Sequence, residues 1–481
     1  MTLSTTNKDA KLIPNAIYLF LNRFFINVAS LLVMYFFSHQ LSTVDYGQYQ
    51  SFWIQLNIFN ALAGIGFSAF AVIYPPEKIV ALFHLIRKNN YLKYGIYLIL
   101  ISILFSALQF DKNVNWIYAF LFIIAFALNN IGDTFLIVFR KLRLMVAINI
   151  VFSIGFFLIH YLLLDANFNL NNLIFSLLGL LFSKLILILF IVYTTFKTVP
   201  PSEIKDSVAL EKMWNLWRQL FYYDVIQISS LWLDKFIVSL TLSPEEIGLY
   251  TNGTYPIPFI PILLAALTSG ALIQLSSAGN AVSSQVKTVH QVSKILSSIV
   301  LPLALFFLFF TQEFILFFFS DKYIEAVPIF RVAVLILFFR AYSHTLLLQK
   351  NEQGKIINQG AVMDIFIAFL LIYPLYKIFG LVGIAACVII STFIQSAYYL
   401  AKTASILQVQ WWSLLPWKNW LYKLGLFTLL AFLLSLNFFN IQNTLNLLCL
   451  SGGIMAIGSL VVLGIEMKLQ SNAVRNTASG D

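Results

Sequence analysis

Charged residues are scarce in this chain: Asp, Glu, Lys and Arg make up 10% of its 481 residues, whereas hydrophobic residues make up 60%. Soluble domains carry about 25% charged residues, because their surfaces face water. A chain with so few charges has more apolar surface than a soluble fold of this length could bury. The composition therefore excludes a soluble protein and indicates that the solvent is lipid.

Cysteine and histidine are also scarce, and neither forms a recognisable site. Cys387 and Cys449 lie in apolar segments, without the spacing of a disulfide framework or a metal site. The five histidines do not cluster, and the chain has neither a Gly-rich phosphate loop nor a G-x-S-x-G nucleophile motif. We therefore expect no metal, no cofactor and no ATP-driven mechanism.

Long apolar runs are the feature that the chain does have. A helix of about 20 residues, rising about 1.5 Å per residue, crosses the hydrocarbon core. We predict an all-α integral membrane protein with fourteen spans, at 14–38, 46–74, 93–110, 114–139, 146–164, 170–196, 214–241, 247–275, 294–319, 327–348, 358–378, 380–401, 417–438 and 443–466. Twelve is the alternative count, because the links at Asp111–Lys112 and Phe379–Gly380 are very short. The longest loops, including 75–92, are too short to fold as domains.

Basic residues lie mainly on one side of this topology. With a cytoplasmic N-terminus, 22 of the thirty Lys and Arg residues, Lys423 among them, fall at cytoplasmic ends and loops. Only three, Lys112, Lys322 and Lys377, fall on the opposite side. This bias predicts that both termini are cytoplasmic. It also accounts for the net charge of +10 without nucleic acid as a partner.

A nine-residue phrase occurs twice, 201 positions apart, at Leu41–Tyr49 and Leu242–Tyr250. Leu, Ser, Gly and Tyr recur in register, and Asp45 matches Glu246. Such a repeat within a polytopic chain predicts two pseudosymmetric halves. We place the first half at 1–200, the second at 201–402, and an additional helix pair with a cytoplasmic tail at 403–481.

Ten charged residues lie inside the predicted spans, where each is expensive unless it faces the bundle interior or a watery cavity. They are Arg23, Lys184, Lys235, Arg331, Arg340, Asp133, Asp224, Asp234, Glu313 and Asp364. We predict that four bases line a cavity and bind an anionic group: Arg23, Lys184, Lys235 and Arg340. Asp133 is expected to pair with Arg140 or with loop lysines.

Helical spacing places Arg23, Asn27 and Ser30 on one face of the first span. Under the 201-residue offset Arg23 aligns with Asp224. One interpretation is a structural ion pair that locks the halves together. The other is that Arg23 lines the cavity, with Asp224 either as its partner in the empty protein or as the carrier of a coupling proton.

Helix-breaking residues predict motion in the eighth span. Gly253, Pro256, Pro258 and Pro261 remove backbone donors or loosen the helix, so we assign them a gating or hinge role. Gly64 and Gly66 occupy the matching region of the second span. Broken helices in corresponding positions of two halves are typical of a transporter's binding region.

At this point the residues carry a family resemblance. The phrase Leu41–Tyr49 after a long first helix, Ile65-Gly66 in helix two, and Asp234–Tyr250 at helix seven resemble the Wzx-type O-antigen flippases. These belong to the multidrug/oligosaccharidyl-lipid/polysaccharide (MOP) exporter superfamily. In related flippases a basic residue in helix one lines the cavity, and Arg23 matches that position.

The resemblance implies two six-helix bundles around a central cavity that opens alternately to each side. The cargo would be an oligosaccharide on undecaprenyl pyrophosphate, moved across the bacterial cytoplasmic membrane for O-antigen or capsule biosynthesis. Membrane lipid would be a partner, as would other polysaccharide-assembly membrane proteins. The last two helices resemble the extra pair of lipid II flippases, so a lipid II-like cargo stays open.

Two other classes of function remain as alternatives. A drug or cation antiporter of the same superfamily would concentrate acids in its cavity, and the balance of five bases to five acids within the spans counts against it. A membrane-embedded oligosaccharide polymerase or ligase would carry catalytic residues on a large external loop. No such loop exists here, so we do not expect an enzyme.

Overall fold

The computed structural model describes residues 6–85, 88–110, 114–164, 168–201, 207–257, 281–437 and 441–478, together with 260, 264, 267–268, 270–272 and 275. Over these ranges every regular element is a helix, as a backbone without access to water requires. Chain contacts divide the molecule into two compact units, Met1–Gly248 and Leu249–Asp481. The boundaries at 200 and 402 stay predictions.

The first unit is a bundle of long helices with two short ones. Its helices are α1 Thr6–Gln40, α2 Thr43–Ala63, α3 Phe67–Ala71, α4 Pro76–Leu85, α5 Lys88–Ala107, α6 Trp116–Val138, α7 Leu142–Leu162, α8 Leu170–Thr198 and α9 Ser207–Thr241. Helix α10, Pro244–Gly253, follows. The main packing pairs are α1 with α7, α6 with α8, and α2 with α5 and α9. Helix α9, which the sequence assigns to the second half, therefore belongs to this compact unit.

The repeated phrase is a helix start. At α2 the Ser42 hydroxyl accepts a hydrogen bond from the Asp45 backbone N–H at 3.1 Å. At α10 the Ser243 backbone N–H donates to the Glu246 carboxylate at 3.1 Å, and the Glu246 N–H donates to the Ser243 hydroxyl. A serine three residues before an acid is the pattern of a capping box, which satisfies otherwise free N–H groups.

The glycine of the first phrase allows two helix starts to touch. A Cβ added to Gly47 would overlap the backbone of Pro244, the first residue of α10. Deeper in the bundle, the Gln55 side-chain amide donates to the Ser239 hydroxyl at 3.2 Å and joins α2 to α9. The close approach at Gly47 and the Gln55–Ser239 bond therefore fix where α2 meets α10 and α9.

The second unit is built around one long central helix. Its elements are α11 Val282–Phe309, α12 Thr311–Phe319, a 3-10 helix Asp321–Ala326, α13 Val327–Val334, α14 Ile336–Arg340, α15 Leu346–Lys350, α16 Gly354–Leu407, a 3-10 turn Trp411–Leu414, α17 Trp417–Ser435 and α18 Thr444–Ala478. Helix α11 packs against α17 and α18, and α13 packs against α16.

Helix α16 is a hairpin of two antiparallel segments. Gly380 has φ 59° and ψ −141°, which a helix cannot contain. The Cys387 thiol approaches the Ala368 carbonyl at 3.0 Å, and the Tyr399 hydroxyl donates to the Ile357 carbonyl at 2.8 Å. Both contacts join a residue before Gly380 to a residue after it. The short link predicted there therefore joins two separate helices.

Eight helices of the described ranges are long and apolar enough to cross a membrane: α1, α5, α6, α7, α8, α11, α16 and α18. Shorter or more polar helices occupy four further predicted spans: α2 with α3, α9, α13 to α15, and α17. The span predicted at 247–275 is described only in part. The chain is a multi-pass, all-helical membrane protein, and the count of fourteen crossings stays a prediction. Helix α4 lies in the predicted loop 75–92 and was not expected.

Candidate functional site

A cavity of about 390 Å³ opens inside the first unit. Residues from α1, α2, α6, α7, α8 and α9 line it, mostly from the halves of these helices nearer the predicted outer face. Seven aromatic side chains form much of its wall: Tyr49, Trp53, Phe122, Phe126, Phe152, Phe156 and Trp232. The volume falls within the range of about 300–1,000 Å³ that is typical of small-molecule sites.

The polar part of the lining is neutral. It consists of Asn27, Ser30, Gln50, Asn57 and Ser153. Among the described lining residues none is charged. Gln50 is 6% exposed, and its amide nitrogen has no hydrogen-bond partner in the structure. The cavity therefore offers aromatic faces and amides but no ionic group.

A buried polar network lies behind this wall. Lys184 of α8 forms an ion pair with Asp133 of α6, with Nζ 2.8 Å from Oδ2. Asn149 of α7 donates to the other Asp133 oxygen at 3.5 Å and to Asn22 of α1 at 2.7 Å. The Lys184 ammonium also lies 4.9 Å from the ring centre of Phe152, which lines the cavity. The network thus joins four helices and touches the cavity through one aromatic ring.

Asp133 therefore has a different partner from the one expected. The sequence analysis assigned it to Arg140 or to loop lysines, and that prediction is wrong. Arg140 is exposed, with a φ of 56° at the end of α6. Lys184 is 51 residues away in sequence, and only the packing of α6 against α8 brings it to Asp133.

The predicted basic residues have different surroundings in the structure. Arg23 is exposed and precedes the cavity residue Asn27 by one helical turn, so it lies near the lining without belonging to it. Lys235 pairs with its neighbour Asp234 at 3.5 Å. Arg340 lies in the second unit, where Asp364 interacts with it electrostatically.

Asp224 is half-buried in α9. No ion pair joins it to Arg23 in the described structure. The pairing interpretation therefore has no support in this conformation, and the role of Asp224 in coupling stays a prediction.

A sequence model of the family described as polysaccharide biosynthesis protein matches residues 38–328, which is more than half of the chain. The chain belongs to this family. A comparison with curated protein sequences gives no significant match.

Solved structures share the fold of this polysaccharide biosynthesis protein at low sequence identity. Lipid II flippase MurJ in an inward closed conformation gives a TM-score of 0.67 at 14% identity, covering 96% of this chain and 99% of MurJ. An inward-facing multidrug resistance MATE family transporter of the MOP superfamily gives 0.60 at 12%, covering 80% and 94%. A MOP superfamily transporter from Pyrococcus furiosus gives 0.53 at 11%, covering 82% and 95%. The fold is therefore that of the MOP superfamily.

The helix break in α2 is closed by side chains of the protein. Ile65 and Gly66 have φ values of 44° and 66°, and Ala63 ends the helix. Tyr97, Tyr94 and Trp217 donate to the carbonyls of Leu62, Ala63 and Ile65 at 3.1, 3.0 and 2.7 Å. These bonds satisfy acceptors that a break within the membrane would otherwise leave unpaired.

The second predicted break also exists. Helix α10 ends at Gly253, and Tyr255 to Ile257 are not helical. A Cβ at Gly253 would lie 2.6 Å from the Ile329 side chain, so this glycine permits close packing. Pro256 lies in the non-helical stretch, whereas Pro258 and Pro261 fall outside the described residues. The gating role of all four stays a prediction.

A second buried ion pair was missed in the sequence. Lys423 is fully buried, and its ammonium donates to the Lys294 carbonyl at 2.7 Å and the Ser297 hydroxyl at 3.1 Å, and pairs with Glu466 at 3.2 Å. The sequence places Lys423 among the cytoplasmic end residues, which stays a prediction, and its burial was not expected. Its place six residues inside a predicted span was the available signal.

Proposed function

We propose that this protein translocates undecaprenyl-pyrophosphate-linked oligosaccharide units across the bacterial cytoplasmic membrane for O-antigen or capsule biosynthesis. Family membership supports a role in polysaccharide biosynthesis, and the MOP fold supports transport. The observation that carries the proposal is the neutral cavity of aromatic and amide side chains in the membrane-embedded first unit. Such a lining suits a carbohydrate better than a lipophilic cation.

Charge argues against the antiporter alternative. A site for cationic drugs needs an acid that is free to pair with the cargo. The described cavity lining carries none, and the nearby Asp133 is already neutralised by Lys184 at 2.8 Å. Arg23, an exposed base one helical turn from the cavity residue Asn27, suits an anionic diphosphate instead.

A lipid II-like cargo is the second candidate. The MurJ match covers 96% of this chain, so it includes residues of the terminal helix pair α17 and α18, which together exceed the unmatched 4%. The MATE match covers 80%. This shared fold favours a polyprenyl-linked cargo without naming its sugar. We propose that the protein is not an enzyme, because the lining residues that the structure describes include no acid and no nucleophile–base pair.

Deletion of the gene tests the function and separates the two cargoes. We expect lipid-linked repeat units to accumulate on the cytoplasmic leaflet and surface polysaccharide to be lost, while the cell wall is still made. Accumulation of lipid II instead would assign the second cargo. Unchanged lipid-linked intermediates with normal surface polysaccharide would refute both.

A further inference from the structure

We propose that the cavity of the first unit is a sugar subsite, in which Trp53 and Trp232 stack on sugar rings of the cargo and the amides of Asn27 and Gln50 bind their hydroxyl groups. The inference rests on the proposed function and adds to it separate binding places for the two parts of the cargo. The glycan occupies the neutral cavity, while the charged diphosphate stays outside the lining, on the side of Arg23.

The lining has the chemistry that a sugar needs. A sugar ring presents a face of C–H groups, which packs on an aromatic ring, and a rim of hydroxyl groups, which needs hydrogen-bond partners. Aromatic residues and amides are both present in the described wall, and ionic groups are not. Most binding pockets likewise combine an apolar wall with a few polar groups that fix orientation.

Trp53 is held as a rigid platform. Its ring meets those of Tyr49, Phe122, Phe126 and Phe156 at centroid distances of 6.1, 6.0, 6.3 and 5.8 Å, all in edge-to-face geometry. Such contacts are favourable for aromatic quadrupoles, and they restrict the rotamers of the central ring. A fixed ring loses little conformational entropy when a ligand stacks on it.

Two amides are available to a ligand. Gln50 is 6% exposed and borders the cavity, and its amide nitrogen has no hydrogen-bond partner. Buried donors are normally satisfied, so an unpaired one beside a cavity indicates a ligand. Asn27, on the opposite helix α1, is an exposed amide in the same lining.

The same observations disfavour two other occupants. A lipid acyl chain could not satisfy the amides of Gln50 and Asn27. A diphosphate would need a cation in the lining. The two bases next to lining rings, Lys184 and Lys235, already pair with Asp133 at 2.8 Å and with Asp234 at 3.5 Å. The volume of about 390 Å³ is enough for a short part of a glycan.

Binding of two different lipids tests the sugar subsite separately from the proposed function. The probes are undecaprenyl pyrophosphate without sugar and the lipid-linked repeat unit that accumulates in the deletion strain, each bound to the purified protein in nanodiscs. We expect Trp53→Leu and Trp232→Leu to weaken binding of the sugar-bearing lipid about tenfold and to leave the bare lipid unchanged. Equal effects on both lipids, or no effect on either, would overturn the sugar subsite.

Further variants control for folding and for the occupant. Trp116→Leu is the matched control, because Trp116 is exposed at the start of α6 and does not border the cavity. Gln50→Leu is expected to weaken the sugar-bearing lipid about tenfold and to leave the bare lipid unchanged; tighter binding of both lipids would indicate an acyl chain and refute the proposal. If the wild-type protein binds neither lipid, the proposed function itself fails.

Discussion

Lys184 and Asp133 form an ion pair within the apolar interior, where each charge is tolerated because of the other. Removing one partner leaves a buried charge without compensation, which costs about 3–5 kcal/mol in proteins. The cavity role predicted for Lys184 and this structural role predict different effects when the residue is substituted. A double variant separates them.

We expect Lys184→Met and Asp133→Asn each to lower the thermal unfolding midpoint, and the double variant to recover most of the loss. Thermal shift of the purified protein in detergent measures this, with Lys197→Met, an exposed position on the same helix, as control. A double variant that folds but does not restore surface polysaccharide would assign the pair a role in transport. Single variants as stable as the wild type would show that the pair does not stabilise the fold.

Arg23 differs from Lys184 because it is exposed and makes no ion pair in the described structure. Loss of its charge should therefore leave the fold intact and remove a contact to the diphosphate. We expect Arg23→Ala to reach the membrane in normal amount yet fail to complement a deletion strain, and Arg23→Lys to retain part of the activity. Normal surface polysaccharide in the alanine variant would exclude this role.

At the scale of single residues, the sequence identified the charges that matter but not their partners. Burial in an apolar span marks Lys184 and Asp133 as expensive, whereas their pairing depends on how α6 packs against α8. The aromatic cavity was not predicted at all. The chain has 47 Phe, 22 Tyr and 9 Trp residues, and most face lipid or core, so composition cannot show which seven enclose a cavity.

The break after α2 is an element whose geometry the sequence did suggest. Gly66 has a φ of 66°, and a Cβ there would lie 2.6 Å from the Phe221 Cα atom. Both the left-handed backbone and the close approach require glycine. Three side chains from neighbouring helices donate to the carbonyls of the break, so these helices hold the segment in place.

We expect Gly66→Ala to destabilise the protein by at least about 2 kcal/mol, because strain and overlap act together. Gly95→Ala is the matched control: Gly95 lies within α5 with nothing within 4 Å of an added Cβ, so alanine should be neutral or stabilise by about 0.5–1 kcal/mol. The amounts of folded protein recovered and the unfolding midpoints give the comparison. Equal behaviour of the two variants would contradict this account of the break.

Helix positions follow from the length of apolar runs. An apolar run of about 20 residues defines a span by physics alone, and helices occur at the predicted positions among the described residues. The repeated phrase could also have been recognised as a capping box from its serine and acid spacing. The link predicted at Phe379–Gly380 exists, because Gly380 separates the two segments of α16. Helix α4 was missed because its ten residues are too few for a membrane span.

The stability of the whole molecule depends on how α17 and α18 attach to the rest of the second unit. All three donors of the buried Lys423 ammonium have partners, two of them on α11 and one on α18. Lys423 therefore links α17 to both α11 and α18. The arrangement explains how α17 and α18 stay packed on α11.

We expect Lys423→Met to lower the unfolding midpoint strongly, since Glu466 would then be buried without its cation. Glu466→Gln should have a smaller effect, because the Lys294 carbonyl and the Ser297 hydroxyl still accept from Lys423. Lys418→Met, at an exposed position on the same helix, is the control and should match the wild type. If Lys423→Met unfolds no earlier than this control, the pair does not hold the terminal helices.

Topology is the property on which the transport direction depends. The sequence assigns 22 basic residues to the cytoplasmic side and three to the other. This bias is strong enough to set the orientation, because basic residues near span ends resist translocation. We expect a reporter fused after Lys322 to lie outside and one fused to the C-terminus to lie in the cytoplasm. A C-terminal reporter on the outside would make the number of spans odd. The direction of transport would then have to be assigned again.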